Sequence, residues 1–168
     1  MYYFRTEKPT VTIRTDGACR NNGSPNAAGG YGAILEAEIG TKDDKTKKIN
    51  YKPISCKISG GMIGTTNNRM ELTAVLMAIR KLHYACSITI VTDSTYVRDA
   101  INAIADGNLH KREKNADLLE MLKDAMEIHS CVAKHISRKE NAECDKLAKD
   151  AARRIQVLSE TGIKEMEF

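Results

Sequence analysis

The sequence predicts an α/β fold: a five-stranded mixed sheet, its first three strands antiparallel, with flanking helices. Three observations carry this. Strand-like and helix-like segments follow one another in the order β-β-β-α-β-α-α-β-α. The first three strand-like runs are separated only by turn-rich stretches, whereas the later ones are separated by helical periodicity, which makes the early strands antiparallel and the later ones parallel. Finally, 168 residues with 42% apolar content are enough for one core. The expectation is a single domain over residues 1–168, with its core at about 10–157 between a short N-terminal arm and a C-terminal tail.

Val11 to Ala18 reads as the first strand, closed by the turn-rich loop Asn21-Asn-Gly-Ser-Pro-Asn26. Gly30 to Ile39 is the second, and its glycines permit close backbone approach. The mixed-charge stretch Lys42 to Lys48 suits a solvated hairpin tip before a third strand around Ile49–Ser59. A helix then starts at Thr66, whose hydroxyl suits an N-cap, and Leu72, Val75, Ile79 and Leu82 carry its 3.6-residue period to about Leu82. Ser87 to Thr92 is a short buried strand. Ser94 caps a second helix ending near Gly107. A basic connector, Asn108 to Asn115, leads to a third helix, Ala116–Ile128, then a last strand, Cys131–Ile136, and a last helix, Glu140–Val157.

A net charge of +4 and a pI near 8.8 permit a polyanionic partner without demanding one. No apolar run is long enough to span a membrane, and Met1-Tyr-Tyr-Phe-Arg-Thr-Glu-Lys-Pro9 lacks the form of a secretory signal. The five cysteines, at 19, 56, 86, 131 and 144, include no CxxC and fit neither a zinc site nor a disulfide framework. They read as ordinary thiols of a reduced, cytoplasmic protein.

Four carboxylates look out of place. Asp16 closes a β-type run and precedes Gly17-Ala18-Cys19, and Asp93 ends the apolar run Ile88–Thr92. Glu71 lies among Met70, Leu72, Ala74, Val75 and Ala78; Asp145 lies between Cys144 and Leu147-Ala148. Any one of them could be a helix cap, a turn residue or the partner of a nearby lysine or arginine. A half-buried carboxylate without a counter-charge is costly, however. Four that meet without matching bases would suit a hard cation with oxygen ligands. Asp16 belongs to the first strand, Asp93 lies at the carboxyl end of the fourth, and the other two sit on helices whose small neighbours allow close packing, so the set could meet at one sheet edge.

The octapeptide Thr65-Thr-Asn-Asn-Arg-Met-Glu-Leu72 resembles the type-1 ribonuclease H family. So do Thr15-Asp-Gly-Ala-Cys19, Gly29-Gly-Tyr-Gly-Ala-Ile34, Thr92-Asp-Ser-Thr-Tyr-Val97 and Glu140-Asn-Ala-Glu-Cys-Asp-Lys-Leu-Ala148, in family order. The resemblance implies a ribonuclease H-like fold acting as a monomer. It implies endonucleolytic hydrolysis of the RNA strand of an RNA–DNA hybrid, leaving 5′-phosphomonoesters. Asp16, Glu71, Asp93 and Asp145 match the family's metal-binding acids, which implies two Mg²⁺ ions, with Mn²⁺ as a substitute. An all-oxygen ligand set fits these ions better than zinc.

His135, ten residues before Asp145, matches a histidine on a mobile family loop that assists proton transfer or product release, as imidazole chemistry suits. Here Lys-His-Ile-Ser replaces the usual Gly-His-Ala-Gly. His83, His110 and His129 match nothing and are expected at the surface. Asn22, Asn67 and Asn68 match residues that contact the hybrid; amides can both donate to and accept from 2′-hydroxyls and base edges. Thr66 and Asn115 match a pocket that grips a DNA-strand phosphate. Thr95 stands where many relatives carry an amide, and the tryptophan-bearing basic protrusion of some relatives is reduced to Leu109–Lys114, which implies a weaker, more salt-sensitive grip. Competing readings are a resolvase- or integrase-like nuclease of the same fold and a non-catalytic hybrid-binding module. A phosphate-loop ATPase lacks its glycine-rich motif here.

Overall fold

The computed structural model describes residues 2–109 and 114–162. Its elements are β1 (Thr10–Arg20), β2 (Ala28–Lys42), β3 (Ile49–Ile63), α1 (Asn67–Ile79), β4 (Ser87–Thr92), α2 (Thr95–Ala105), α3 (Ala116–Met126), β5 (Ser130–His135) and α4 (Ala142–Thr161). The strands form one five-stranded sheet in the order β3-β2-β1-β4-β5. β1 pairs antiparallel with β2, and β2 with β3, while β4 runs parallel to both β1 and β5. The expected mixed sheet is therefore present. It sets Thr15, inside β1, opposite Thr92, the last residue of β4, so Asp16 on β1 and Asp93 just past β4 follow side by side.

Alternation along β1 sends Val11 and Ile13 into a core shared with Leu72, Val75 and Ile79 of α1, Val97 and Ile101 of α2, and Leu119 and Leu122 of α3. Burying each such side chain contributes about 1.5–3 kcal/mol, so this face holds the three helices down. α4 covers the opposite face with Cys144, Ala148, Ala151, Ala152 and Ile155. The fit is close because β2 offers no side chain at Gly30, where a Cβ would lie 2.2 Å from the Ala148 carbonyl oxygen. α1 is buried on most sides (Met70, Leu72–Leu76, Ala78, Ile79), as befits a helix at the centre of its layer.

Element ends differ from the sequence expectations in informative ways. α1 stops at Ile79, and the next turn closes through Lys81 N–H to Ala78 C=O (3.1 Å) and Leu82 N–H to Ile79 C=O (3.0 Å). Leu82 still packs against the core, which is why its periodicity extended the expected helix. α2 ends two residues before Gly107, which adopts φ +71°. α3 ends at Met126, and Ile128, inside the expected span, is 57% exposed. α4 starts after a turn over 138–141 and runs past Val157 to a left-handed Gly162 cap. β3 extends to Ile63 because Gly29 and Ala28 of β2 continue the ladder to Met62 and Ile63. No helix among the described residues is long and apolar enough to cross a membrane. Four residues of the basic connector, 110–113, lie outside the described residues, as do 163–168.

Candidate active site

Asp16 is 6% exposed and sits where β1 passes between the N-terminal turns of α1 and α4. Its Oδ1 accepts the Gly17 N–H at 2.8 Å. Its carboxyl is pushed up to about 7, first by burial and then by the negative charge of Asp93, with Asp145 and Glu71 adding to it against the Gly17 amide. Asp16 thus feels all three of the other singled-out acids.

Each of those acids is held by its own donors. Glu71 Oε2 accepts from Ser94 Oγ (2.7 Å) and Oε1 from Asn67 Nδ2 (2.9 Å). Burial raises the Glu71 pKa and Asp93 adds to the rise, while Ser94, Asn67 and the Arg138 charge oppose it. Asp93 Oδ1 accepts from Asn141 Nδ2 (3.2 Å), and its Oδ2 faces Arg138 Nε at 3.4 Å. Asp145, in the first turn of α4, accepts from Lys149 Nζ at 2.7 Å. His135, exposed at the end of β5, brings Nε2 to 3.2 Å from the Asp93 carbonyl oxygen.

Asp16, Glu71 and Asp145 line one cleft of about 360 Å³ together with Asn67, Arg138, Lys149 and Arg153. The five expected substrate residues, Asn22, Thr66, Asn67, Asn68 and Asn115, all line a second pocket of about 480 Å³, and Asn67 belongs to both. Thr66 does cap α1, accepting from Arg69 N–H at 3.3 Å. Asn22 Oδ1 accepts the Asn67 N–H at 3.1 Å, so it joins its loop to the start of α1. Asn115 adopts φ +62°, a conformation asparagine tolerates, and holds it by donating to Tyr96 Oη (3.0 Å) and accepting from Arg69 Nη1 (3.4 Å). Another cavity, of about 680 Å³ beside Phe4, Thr12, Glu36 and Ile54, includes none of these residues.

Sequence reasoning missed Asn141, Arg138 and the link from Ser94 to Glu71. Asn141 is 1% exposed and joins β1 to β4 by donating to the Thr15 carbonyl (2.9 Å) and to Asp93. A buried-type asparagine just before a helix signals a cap, yet its side chain caps nothing. His129 is a correction: it is half-buried, and its Nδ1 accepts the Cys86 N–H at 3.1 Å at the start of β4. His83 is exposed, and His110 lies outside the described residues. The cysteines are free, with Cys86 and Cys144 buried, Cys19 and Cys131 half-buried and Cys56 exposed.

The donor set fits a hard divalent cation. It is made of carboxylate oxygens, that of Asp16 deeply buried against the Gly17 amide, and their mutual repulsion is what a cation would relieve. Among the described residues, no three His, Cys, Asp or Glu side chains stand close enough to ligate one ion together. Glu71 and Asp145 are turned to Ser94, Asn67 and Lys149, so shared ligation requires them to leave these partners.

A five-stranded sheet in this order, with Asp16 on β1 beside Asp93 at the end of β4, defines the class of ribonuclease H-like α/β proteins. Solved structures share the fold: the LC11 ribonuclease H1 isolated from compost by a metagenomic approach, described in complex with RNA/DNA hybrid, has a TM-score of 0.62 at 20% identity over 86% of this chain and 97% of its own. The N-terminal RNase H domain of rv2228c from Mycobacterium tuberculosis gives a TM-score of 0.64 at 19% identity over 90% and 99%. The RNase H family profile matches residues 8–153. The ribonuclease H of Shewanella denitrificans is 34% identical over 95% of this chain and 98% of its own, and that of Proteus mirabilis 39% over 84% and 86%. The chain belongs to the RNase H family.

Proposed function

We propose that the protein is an endonuclease that hydrolyses the RNA strand of RNA–DNA hybrids, using divalent cations held by Asp16, Glu71, Asp93 and Asp145. The observation that carries this reading is Asp16, buried with the Gly17 amide as its donor while three further carboxylates press on it. Such a cluster is costly by itself and becomes useful when a cation shares it. The relatives named ribonuclease H, and the neighbour described in complex with RNA/DNA hybrid, support the substrate.

When bound, two Mg²⁺ ions, or Mn²⁺ in their place, supply a more acidic attacking water and stabilise charge on the leaving 3′-oxygen. The chain's own residues do the rest. Asn141 ties Asp93 to β1 and orients that ligand, while Ser94 and Asn67 hold the Glu71 carboxylate beside it, and Glu71 would turn from them to reach a cation. In the reaction a water oxygen bonds to phosphorus, the P–O3′ bond breaks, and a proton reaches O3′, leaving a 3′-hydroxyl and a 5′-phosphate. His135, exposed beside the Asp93 backbone, is placed to carry that proton to or from solvent. Asn22, Asn67 and Asn68 read the hybrid through its 2′-hydroxyls and base edges, and Thr66 with Asn115 receives a phosphate of the DNA strand.

The test compares cleavage of a labelled RNA–DNA hybrid, duplex DNA and a four-way junction in Mg²⁺ and in Mn²⁺. Cleavage of the RNA in the hybrid alone supports the proposal. Preference for the junction favours a resolvase-like nuclease, and binding of hybrid without cleavage favours a non-catalytic module.

A further inference from the structure

The cleft that holds Asp16, Glu71 and Asp145 is also lined by four cations, Arg20, Arg138, Lys149 and Arg153. Two of them are engaged, Arg138 with Asp93 and Lys149 with Asp145. The guanidinium groups of Arg20 and Arg153 make no ion pair among the described residues, and both residues are exposed. The two unpaired arginines lie at the same end. Arg20 is four residues beyond Asp16 on β1, about 13 Å at the usual strand rise. Arg153 is eight residues beyond Asp145 on α4, about 12 Å along a helix. α4 runs alongside β1 in the same direction. It passes Gly32 of β2 at Cys144 and Leu147, then Gly30 at Ala148 and Ala152, while Gly32 pairs with Asp16 and Gly30 with Ala18. One end of the cleft is thus acidic, and the other carries two unpaired guanidinium groups.

Resting on the hybrid-cleaving reading above, we propose that Arg20 and Arg153 form a clamp for backbone phosphates of the strand being cut, within about four nucleotides of the cleaved bond. The limit follows from the ~12–13 Å offset, because a strand advances ~3.4 Å per nucleotide along the duplex axis and its phosphates lie further apart than that. The planar guanidinium fork is suited to phosphate oxygens, and neither arginine has to give up an ion-pair partner among the described residues to meet one. The strand assignment follows from the two pockets. Asp16, Glu71 and Asp145 line the cleft, so the cut strand lies there, while Thr66 and Asn115 of the second pocket take a phosphate of the other strand.

The experiment has two readouts. First, hybrid binding is measured by fluorescence anisotropy in EDTA across a salt series, for wild type and Arg20→Gln/Arg153→Gln. Loss of two phosphate contacts lowers the slope of log K against log salt by about 2, so between about 50 and 200 mM salt wild type loses roughly tenfold more affinity than the variant. Second, KM is measured on nested hybrids in which either the RNA or the DNA strand is shortened stepwise toward one cut site. Wild type shows a rise in KM when the RNA strand, on one side only, is trimmed to within about three nucleotides of the cut. The variant loses that long-over-short preference, and trimming DNA alone does not reproduce the step. An unchanged salt slope, or a step that follows the DNA strand, overturns the clamp while leaving hybrid cleavage standing. Absence of both binding and cleavage of hybrid by wild type overturns the functional reading and the clamp with it.

Discussion

Asn141 and Asp93 are joined by a 3.2 Å hydrogen bond between two segments that lie 48 residues apart in the chain. The same amide nitrogen donates to the Thr15 carbonyl, so one buried side chain sets the spacing of β1, β4 and the start of α4. Asn141→Ala leaves the Thr15 carbonyl and Asp93 without this donor and is expected to cost about 1–3 kcal/mol of stability. Because Asp93 loses its orientation, hybrid cleavage should fall by more than stability alone explains. Urea unfolding measured beside cleavage at a temperature where the variant stays folded checks both parts.

The pKa of Asp16 near 7 has a consequence for stability in EDTA. The native carboxyl binds its proton more tightly than the unfolded one, so this group opposes folding increasingly as pH rises from about 4 to 7, with the full penalty above that. The shift corresponds to a penalty on the order of 3–4 kcal/mol at pH 8. Glu71, also raised by burial, pulls in the same direction. Asp16→Asn is therefore expected to stabilise the protein in EDTA at pH 8 and to have little effect below pH 4. Added Mg²⁺ should stabilise wild type far more at pH 8 than at pH 5, as thermal melts will show.

Gly17 lets β1 touch α1: a Cβ there would lie 2.3 Å from the Glu71 backbone nitrogen and 2.6 Å from the Met70 carbonyl carbon. These are backbone atoms, which cannot rotate away. Gly17→Ala must push α1 off β1 and separate Glu71 from Asp16, and it is expected to cost at least about 1–3 kcal/mol. A fall in melting temperature together with weaker Mg²⁺ stabilisation checks the displacement; Gly23→Ala, whose Cβ meets nothing within 4 Å, is the comparison, although its φ of +86° carries its own backbone cost.

Arg69 fastens the start of α1 to α3 through Asp117 (2.9 and 2.6 Å) and supports Asn115 Oδ1. Asp117 is held down at about 2 by this arginine, yet its side chain is 63% exposed, so the pair is screened and contributes no more than about 1 kcal/mol. Arg69→Ala is expected to leave melting nearly unchanged while loosening Asn115. KM for hybrid should rise several-fold with kcat little altered, which steady-state kinetics will separate.

The mixed sheet and the unusual settings of the four acids were legible in the sequence because each rests on a local pattern. Alternating runs end in Asp16 and Asp93, and small residues beside Glu71 and Asp145 mark helices that pack closely. Contacts between distant segments were not legible in this way. Nothing local distinguishes Asn141 from an ordinary helix cap, and only the fold shows it reaching Thr15 and Asp93. Ser94 read as a cap and is one, yet its hydroxyl also donates to Glu71, 23 residues earlier. Helix ends misled where packing outlasted hydrogen bonding: Leu82 keeps the apolar period of α1 from within a turn. His129 could not be placed because its partner, the Cys86 amide, is 43 residues away.

In the proposed function, the acids surrounding Asp16 hold the cations with which this protein cuts RNA in a hybrid. The most direct measurement is cleavage of an end-labelled RNA–DNA hybrid by wild type, Glu71→Gln and Asp93→Asn, each in Mg²⁺, in Mn²⁺ and in EDTA. The expected result is cleavage of the RNA strand by wild type with either metal, none in EDTA, and loss of at least about a hundredfold in each variant. Wild-type protein that leaves the hybrid intact in both Mg²⁺ and Mn²⁺, or that cleaves it equally well in EDTA, would contradict the account.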